Sequence, residues 1–408
     1  MHWLWITAAF FLGIIGLDYL DKRRKAWRGR KLHAIPLRFI NARMGVRPTI
    51  LGHTVPDGYR LACLYFGAGL IDRTDMLDHG FAYDVLDPIP ELGSFDVNLA
   101  ELNDRRARAI IERAERDGAS LALAWSGGID STGACAALLK ALTGREAELR
   151  IVHSKQSVVE YPRFYDEFIK GKLPRTNINS IQDAYARRRM LVTGEHGDQL
   201  FGSAKAMELS FDDLKATWED VFPSILRQKL ALPERADALI RYLEPQIKKA
   251  PFRLENLFDL LWWINFSMKW QAVSQRIPAS IGDVDDFQGA MARTEHFFRT
   301  DDFQRWSMTN PDQRIRFGNW ASYKWPLKDY IKAFTGDNDY RYSRVKQPSL
   351  RGLENKSYKS KALAIGADGR LWVEPANTAL RKKGRGDGSG FYVEHEIDLW
   401  DLIDGDGE

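Results

Sequence analysis

Cysteine is nearly absent: the 408 residues contain only Cys63 and Cys135. They lie far apart and in no CxxC pair, which argues against a disulfide framework or a thiolate zinc site and suits a reducing compartment. A large charge excess is lacking too. The balance of 59 Lys and Arg against 55 Asp and Glu leaves a formal charge of +4 and a pI of about 8.8. Much of the basic surplus sits in Asp21 to Lys31 and Arg381 to Arg385, so no long nucleic-acid face is implied. No internal repeat is present. Hydrophobic residues make up 44% and charged residues 28%, which excludes a disordered chain. The length allows roughly two to three domains.

Long apolar runs are scarce, with one exception. Trp3 to Leu17 carries no charge and is followed by Lys22, Arg23, Arg24 and Lys25. As a helix it reaches about 22 Å, against a hydrocarbon core of about 30 Å. Its basic flank comes after the run, whereas a cleavable signal peptide has it before. The positive-inside rule leaves the body of the protein cytoplasmic. The run reads as a short membrane anchor tethering a cytoplasmic protein through residues 3–17; its alternatives are a buried or interfacial helix, or a mis-called start codon.

Five regions follow from the patterning. Residues 1–31 are the apolar segment and basic linker. Residues 32–102 form a small N-terminal domain with strand-like runs such as Tyr59 to Phe66 (YRLACLYF) and no chemistry above background. His33, His53 and His79 stand alone there and read as solvated or structural. Residues 103–210 alternate helix and strand. Asn103 to Arg116 has helical apolar spacing with Asn103 at the N-cap. Leu121 to Trp125, Leu149 to His153 and Met190 to Thr193 are short apolar runs suited to buried parallel strands. Ser131 to Leu142 and Ser180 to Arg189 read as helices between them. This alternation predicts an α/β fold with a parallel, doubly wound sheet. Residues 211–361 are mostly helical; the aromatics of Leu257 to Trp270 (LFDLLWWINFSMKW) belong to a core rather than to a cofactor box. Residues 362–408 read as a small β unit with an acidic tail.

The chemistry is concentrated in Ser126-Gly127-Gly128-Ile129-Asp130-Ser131-Thr132, which follows a strand and opens a helix. Paired glycines let the backbone turn tightly and approach a ligand. A helix start presents N–H groups and a positive dipole end to an anion, and Ser126, Ser131 and Thr132 add hydroxyls. Asp130 would repel phosphate unless a cation bridged them, which points to Mg²⁺. No Lys follows the glycines, so this is not the GxxxxGK[ST] loop. The bland reading is an ordinary strand-to-helix turn.

SGGIDST resembles the SGGxDS signature of the PP-loop ATP pyrophosphatases, in which the loop holds the pyrophosphate end of ATP. Leu191 to Ser203 (LVTGEHGDQLFGS) resembles the asparagine synthetase pattern S/T-G-E-G-x-D-E-L-F-G-G. Thr193, Gly194, Glu195, Gly197, Asp198, Leu200, Phe201 and Gly202 match; His196 departs from the pattern, Gln199 stands for its Glu and Ser203 for its last Gly. Tyr323 to Ile331 resembles the family's K-x-x-L-R segment, with Lys324 at the lysine and Lys328 at the arginine, and Arg344-Val345-Lys346 resembles the R-x-K that follows. The resemblance covers roughly Asn103 to Leu350. It is strong at two short motifs and absent before about residue 100. The family's glutaminase domain with its N-terminal nucleophilic Cys is not expected here, since the sequence begins Met1-His2.

The resemblance implies a PP-loop (adenine nucleotide alpha hydrolase-like) core with an added helical region, and an AMP- and pyrophosphate-forming amide ligase using ATP and Mg²⁺. Its substrates would be a small-molecule carboxylate and ammonia or an amine, free or from a separate glutaminase. It assigns Glu195 and Lys324 to catalysis, and Asp130 and Asp198 to the metal. Ser126, Gly127, Gly128, Asp130, Ser131, Thr132, Gly194 and Lys328 would bind the nucleotide. The alternatives are a PP-loop nucleobase- or RNA-modifying enzyme and a non-catalytic nucleotide-binding protein.

Overall fold

A computed structural model describes residues 56–346 apart from 81–84, 179–180, 186–188, 231–232 and 279–283, and beyond them only the two-stranded pairings of Thr49–Ile50 with His53–Thr54 and of Leu363–Ile365 with Leu371–Val373. The apolar run 3–17, its basic linker, His33 and the tail beyond residue 373 lie outside the described residues, as do the side chains of the two short pairings.

The run read as strand from Tyr59 folds instead as helix α1 (Asp57–Phe66). Tyr59, Ala62, Cys63 and Phe66 are all buried, which is helical spacing. Gly67, left-handed at φ 61°, ends the helix. A Cβ on Gly58 would fall 2.3 Å from Tyr242 Cβ, so glycine there lets α1 lie against helix α4 (Pro233–Lys248). Helix α2 (Leu99–Arg116) starts four residues before the expected point. Asn98, not Asn103, is the N-cap, accepting from Glu101 N at 2.9 Å. Asn103 is buried inside the helix with Ala107, Ile110, Ile111 and Ala114.

The α/β alternation is present: β1 (Ser120–Ala124), α3 (Ile129–Ala141), β2 (Leu149–His153), β3 (Arg175–Asn177) and β4 (Arg189–Thr193) follow in order. Residues 181–184 form a 3-10 turn where a longer helix was expected. A fifth strand, β5 (Thr294–His296), comes from the helical region. All five are parallel, in the order β3-β2-β1-β4-β5. The strand order thus reverses at the β1/β4 boundary, compatible with a doubly wound α/β fold.

Both faces of the sheet are covered, as parallel sheets require. Leu121, Leu123, Leu149, Ile151, Met190 and Val192 face one large core, while Ala122, Ala124, Val152 and Leu191 meet Ile178, Ile181 and Ile277 on the other side. The large core runs without a break from Tyr59 to Tyr340, so α1 shares it with the sheet. Helix α5 (Leu257–Met268) buries every residue but Asp259, including Trp262, Trp263 and Phe266; its aromatics are core, as expected. After α6 (Trp270–Arg276), α7 (Trp325–Thr335) returns across α3. A Cβ on Gly133 would lie 2.5 Å from Leu327 Cδ1, so the small residue on α3 sets how close α7 comes. Among the described residues no helix is long and apolar enough to cross a membrane.

Candidate active site

Ligands of open α/β sheets lie beyond the carboxyl ends of the strands, at the reversal of strand order. Here that point is the β1/β4 boundary, where Ala124 pairs with Thr193, and the two motifs leave those strands side by side. Gly127 turns the chain with φ 78°, and a Cβ on it would fall 2.3 Å from Ser157 O, so glycine is required twice over. Gly128 then precedes α3 and offers no side-chain cap to its first N–H groups.

The loop hydroxyls bond within the loop. Ser126 Oγ lies 2.9 Å from Ser131 Oγ, which is 3.2 Å from Gly128 O. Gly128 N donates to Ser126 Oγ at 3.3 Å, and Thr132 Oγ1 accepts from Trp125 Nε1 at 3.1 Å. These residues fix the loop's shape, and Thr132 is fully buried.

The glycines of the second motif are explained by the first. A Cβ on Gly194 would come within 2.6 Å of Ser131 N, and one on Gly197 within 2.2 Å of Asp130 Oδ1. His196, at a glycine position of the pattern, is left-handed at φ 73°, a conformation costing a non-glycine residue about 1 kcal/mol or more. Burial holds it there: its ring centroid is 4.3 Å from that of Trp270 and 5.1 Å from that of His296, and Nε2 is 2.9 Å from Ser274 Oγ.

Four charged groups converge beside the loop. Lys324 Nζ contacts Asp130 Oδ1 and Oδ2 at 2.7 and 2.5 Å and Asp198 Oδ1 at 2.8 Å. Lys346 Nζ contacts Asp198 Oδ2 at 2.9 Å. Burial raises the Asp130 carboxyl above its ordinary range, against the pull of Lys324. Burial also pushes Asp198 up, but two ammonium groups outweigh it and hold it well below the usual carboxylate range. Burial acts to lower Lys346, but its partner Asp198 outweighs it and raises the ammonium. Asp130 and Asp198 thus offer hard oxygen donors around one cation position. That suits Mg²⁺, which takes one or two carboxylates and completes its shell with phosphate and water. Among the described residues no cluster of three or more His, Cys, Asp or Glu could hold a metal.

Glu195, buried at the strand end, pairs with Arg276 at the end of α6. Burial raises its carboxyl, and the guanidinium pulls it back down. Its backbone N–H donates to Thr193 Oγ1 at 3.3 Å, and Thr193 Oγ1 lies 2.7 Å from His296 Nδ1. Since His296 Nε2 faces Ser274 O at 2.8 Å, Nε2 carries the proton and Nδ1 accepts. Arg276 and His296 escaped the sequence reading: Arg276 stands 81 residues from Glu195, and neither has a local pattern.

Lys328 is placed otherwise than expected. Its Nζ donates to Ala321 O at 2.6 Å and Arg344 O at 2.5 Å, tying α7 to the segment that carries Lys346. Burial lowers its pKa to about 7. Arg344 pairs with Glu160 at 2.8 Å. Both cysteines are buried, and burial pushes the Cys63 thiol up to about 12. His79 is buried, its Nδ1 3.1 Å from Leu77 O and its Nε2 accepting from Asp72 N at 3.3 Å.

No family model matches this chain, and no curated protein matches it. Fold and site together define a class: an α/β protein with a five-stranded parallel sheet and a charged candidate site at the carboxyl edge, where the strand order reverses.

Proposed function

We propose that this chain is an ATP-dependent, AMP- and pyrophosphate-forming amide ligase of the PP-loop, asparagine synthetase-like type, acting in the cytoplasm on a small-molecule carboxylate and on ammonia or an amine. The observation that carries the reading is the interlock of the two motifs. Gly197 lies against the carboxylate of Asp130, and both Asp130 and Asp198 reach Lys324. Two motifs that resemble signatures of one chemistry thus lie against each other.

In this reading the loop Ser126 to Thr132 and the start of α3 receive the triphosphate. A substrate carboxylate oxygen attacks the α-phosphorus, the bond to the bridging oxygen breaks, and pyrophosphate leaves. Lys324 and Lys346 neutralise the charge that builds on the leaving group. The amine then attacks the acyl carbon, AMP departs, and the amine proton passes to Glu195. Burial raises the affinity of Glu195 for that proton, and Arg276 keeps its carboxylate oriented. Asp130 and Asp198 would hold Mg²⁺, which when bound neutralises phosphate charge. The work is mainly positioning and charge stabilisation.

A non-catalytic nucleotide-binding protein is the second reading. It draws on the hydroxyls of Ser126, Ser131 and Thr132 being turned into the loop. The nucleobase- or RNA-modifying alternative has no observation in its favour, and a thiolating version would need reactive cysteines where both are buried.

Calorimetric titration with Mg²⁺ and ATP tests the binding step. The wild type binds, and Asp130→Ala loses more than about 1.4 kcal/mol, or tenfold in affinity. Equal affinity in both proteins would remove the basis of the proposal.

A further inference from the structure

We infer that Lys324 decides the form in which this site accepts its divalent cation: Asp130 and Asp198 take the metal together with nucleotide phosphates and not as a free ion. The nucleotide half rests on the function proposed above. The geometric half does not. Lys324 Nζ lies 2.7 and 2.5 Å from the oxygens of Asp130 and 2.8 Å from Asp198 Oδ1. It stands at the point where the two carboxylates converge, which is where a bridging cation would sit.

The lysine is fixed there by its surroundings. Its side chain is wholly buried. Its backbone is left-handed at φ 59°, a region that disfavours any residue but glycine. Its N–H donates to Arg314 O at 2.9 Å, and its carbonyl accepts from Lys328 N at 3.1 Å as α7 begins. Arg314 is itself buried, with its guanidinium 3.4 Å from the centre of the Trp262 ring. The rings of Tyr323 and Phe201 lie 5.4 and 5.8 Å from Lys324 Nζ. The strained turn therefore serves to deliver one ammonium to one place.

Charge supplies the second argument. Lys346 holds the other oxygen of Asp198 at 2.9 Å, so the two carboxylates already face two ammonium groups. A bare dication entering this set gains no net attraction and meets like charges at short range. A nucleoside triphosphate reverses the sum. Its phosphates bring several negative charges, offer Lys324 new acceptors, and supply oxygens that Mg²⁺ needs beyond two carboxylates. Metal and nucleotide then strengthen each other's binding, as linkage demands.

Mn²⁺ is a paramagnetic stand-in for Mg²⁺, and its binding to the full chain can be followed by electron paramagnetic resonance. The titrations are run with and without α,β-methylene ATP on wild type, Lys324→Met, and Lys324→Met with Asp130→Asn. Without nucleotide, Lys324→Met is expected to bind Mn²⁺ about tenfold more tightly than wild type or better, and the added Asp130→Asn to cancel the gain. With the analogue, wild type gains by at least about the same factor. Equal nucleotide-free binding in wild type and Lys324→Met overturns the inference, and so does a wild type that binds the analogue without any gain in Mn²⁺ affinity. Lys324→Gln takes the place of Lys324→Met if the latter fails to fold. If no variant binds the analogue, the adenylating function fails, and the nucleotide-free comparison still decides the role of Lys324.

Discussion

At the scale of single residues, the candidate site depends on what glycine leaves out. Gly197 has room only for hydrogen, because the Asp130 carboxylate occupies the volume of a Cβ at 2.2 Å. Gly197→Ala must push that carboxylate away from Lys324. The carboxylate ends a side chain and can yield, so the stability loss should stay near 1–2 kcal/mol. Affinity for Mg²⁺ and ATP should fall tenfold or more, about 1.4 kcal/mol. Urea melts set beside calorimetric titrations check this; unchanged affinity in a folded Gly197→Ala would show that Asp130 has no part in binding. Gly194 faces backbone instead, 2.6 Å from Ser131 N, so its substitution harms folding first. Both glycines were visible as letters of a motif. Their reason was not, because it lies in a loop some 60 residues earlier, on a neighbouring strand.

At the scale of elements, the apolar strands were legible and the polar one was not. Leu121 to Ala124, Leu149 to His153 and Met190 to Thr193 are buried on both faces apart from half-buried Arg150, and read as largely apolar runs. Strand β5 is Thr294-Glu295-His296, three residues without an aliphatic side chain, and it joins the sheet only through β4. Helix α1 was mistaken for a strand because its buried aromatics and aliphatics are so dense that alternation and helical spacing coincide. The cap is Asn98 rather than Asn103 because Leu99 and Leu102 extend the buried face one turn further toward the N-terminus than the run from Ala107 shows.

The joint between β4, β5 and α6 carries a pH dependence. His296 is buried between Thr193 Oγ1 and Ser274 O as a neutral ring, and burial lowers its pKa from 6.5 to about 3. His196 beside it is also driven well below its ordinary value by burial. Between pH 6.5 and about 3 the unfolded chain binds protons that the folded chain refuses. The stability these groups contribute is therefore complete above pH 6.5 and lost as the pH falls, by about 1.4 kcal/mol per pH unit for each ring. Urea midpoints taken from pH 7.5 down to 5 should decline, and His296→Asn should flatten the decline by about one proton. An unchanged slope in that variant would mean that His296 is protonated in the fold.

At the scale of the whole molecule, one core joins α1, the parallel sheet and the Trp-rich helices, so residues far apart in sequence meet at one edge. Asp130, Glu195, Asp198, Arg276, Lys324 and Lys346 come from loop, strand end, helix end and a left-handed turn. Of the four site segments, two were marked by motifs, the stretch from Lys324 to Lys346 was marked only loosely, and the end of α6 was not marked at all. Arg276 reaches Glu195 from the end of α6, 81 residues away in sequence, a matter of tertiary path that no local pattern encodes. The central claim is that this edge cleaves ATP between its α- and β-phosphates. The direct measurement is to incubate the purified full chain with ATP labelled at both its α- and γ-phosphates, Mg²⁺ and the small-molecule fraction of a cell extract, and to separate the labelled products. The account predicts AMP and an equal amount of pyrophosphate, both dependent on the extract and both lost in Glu195→Gln and Lys324→Met. Extract-dependent ADP and phosphate without AMP would contradict it.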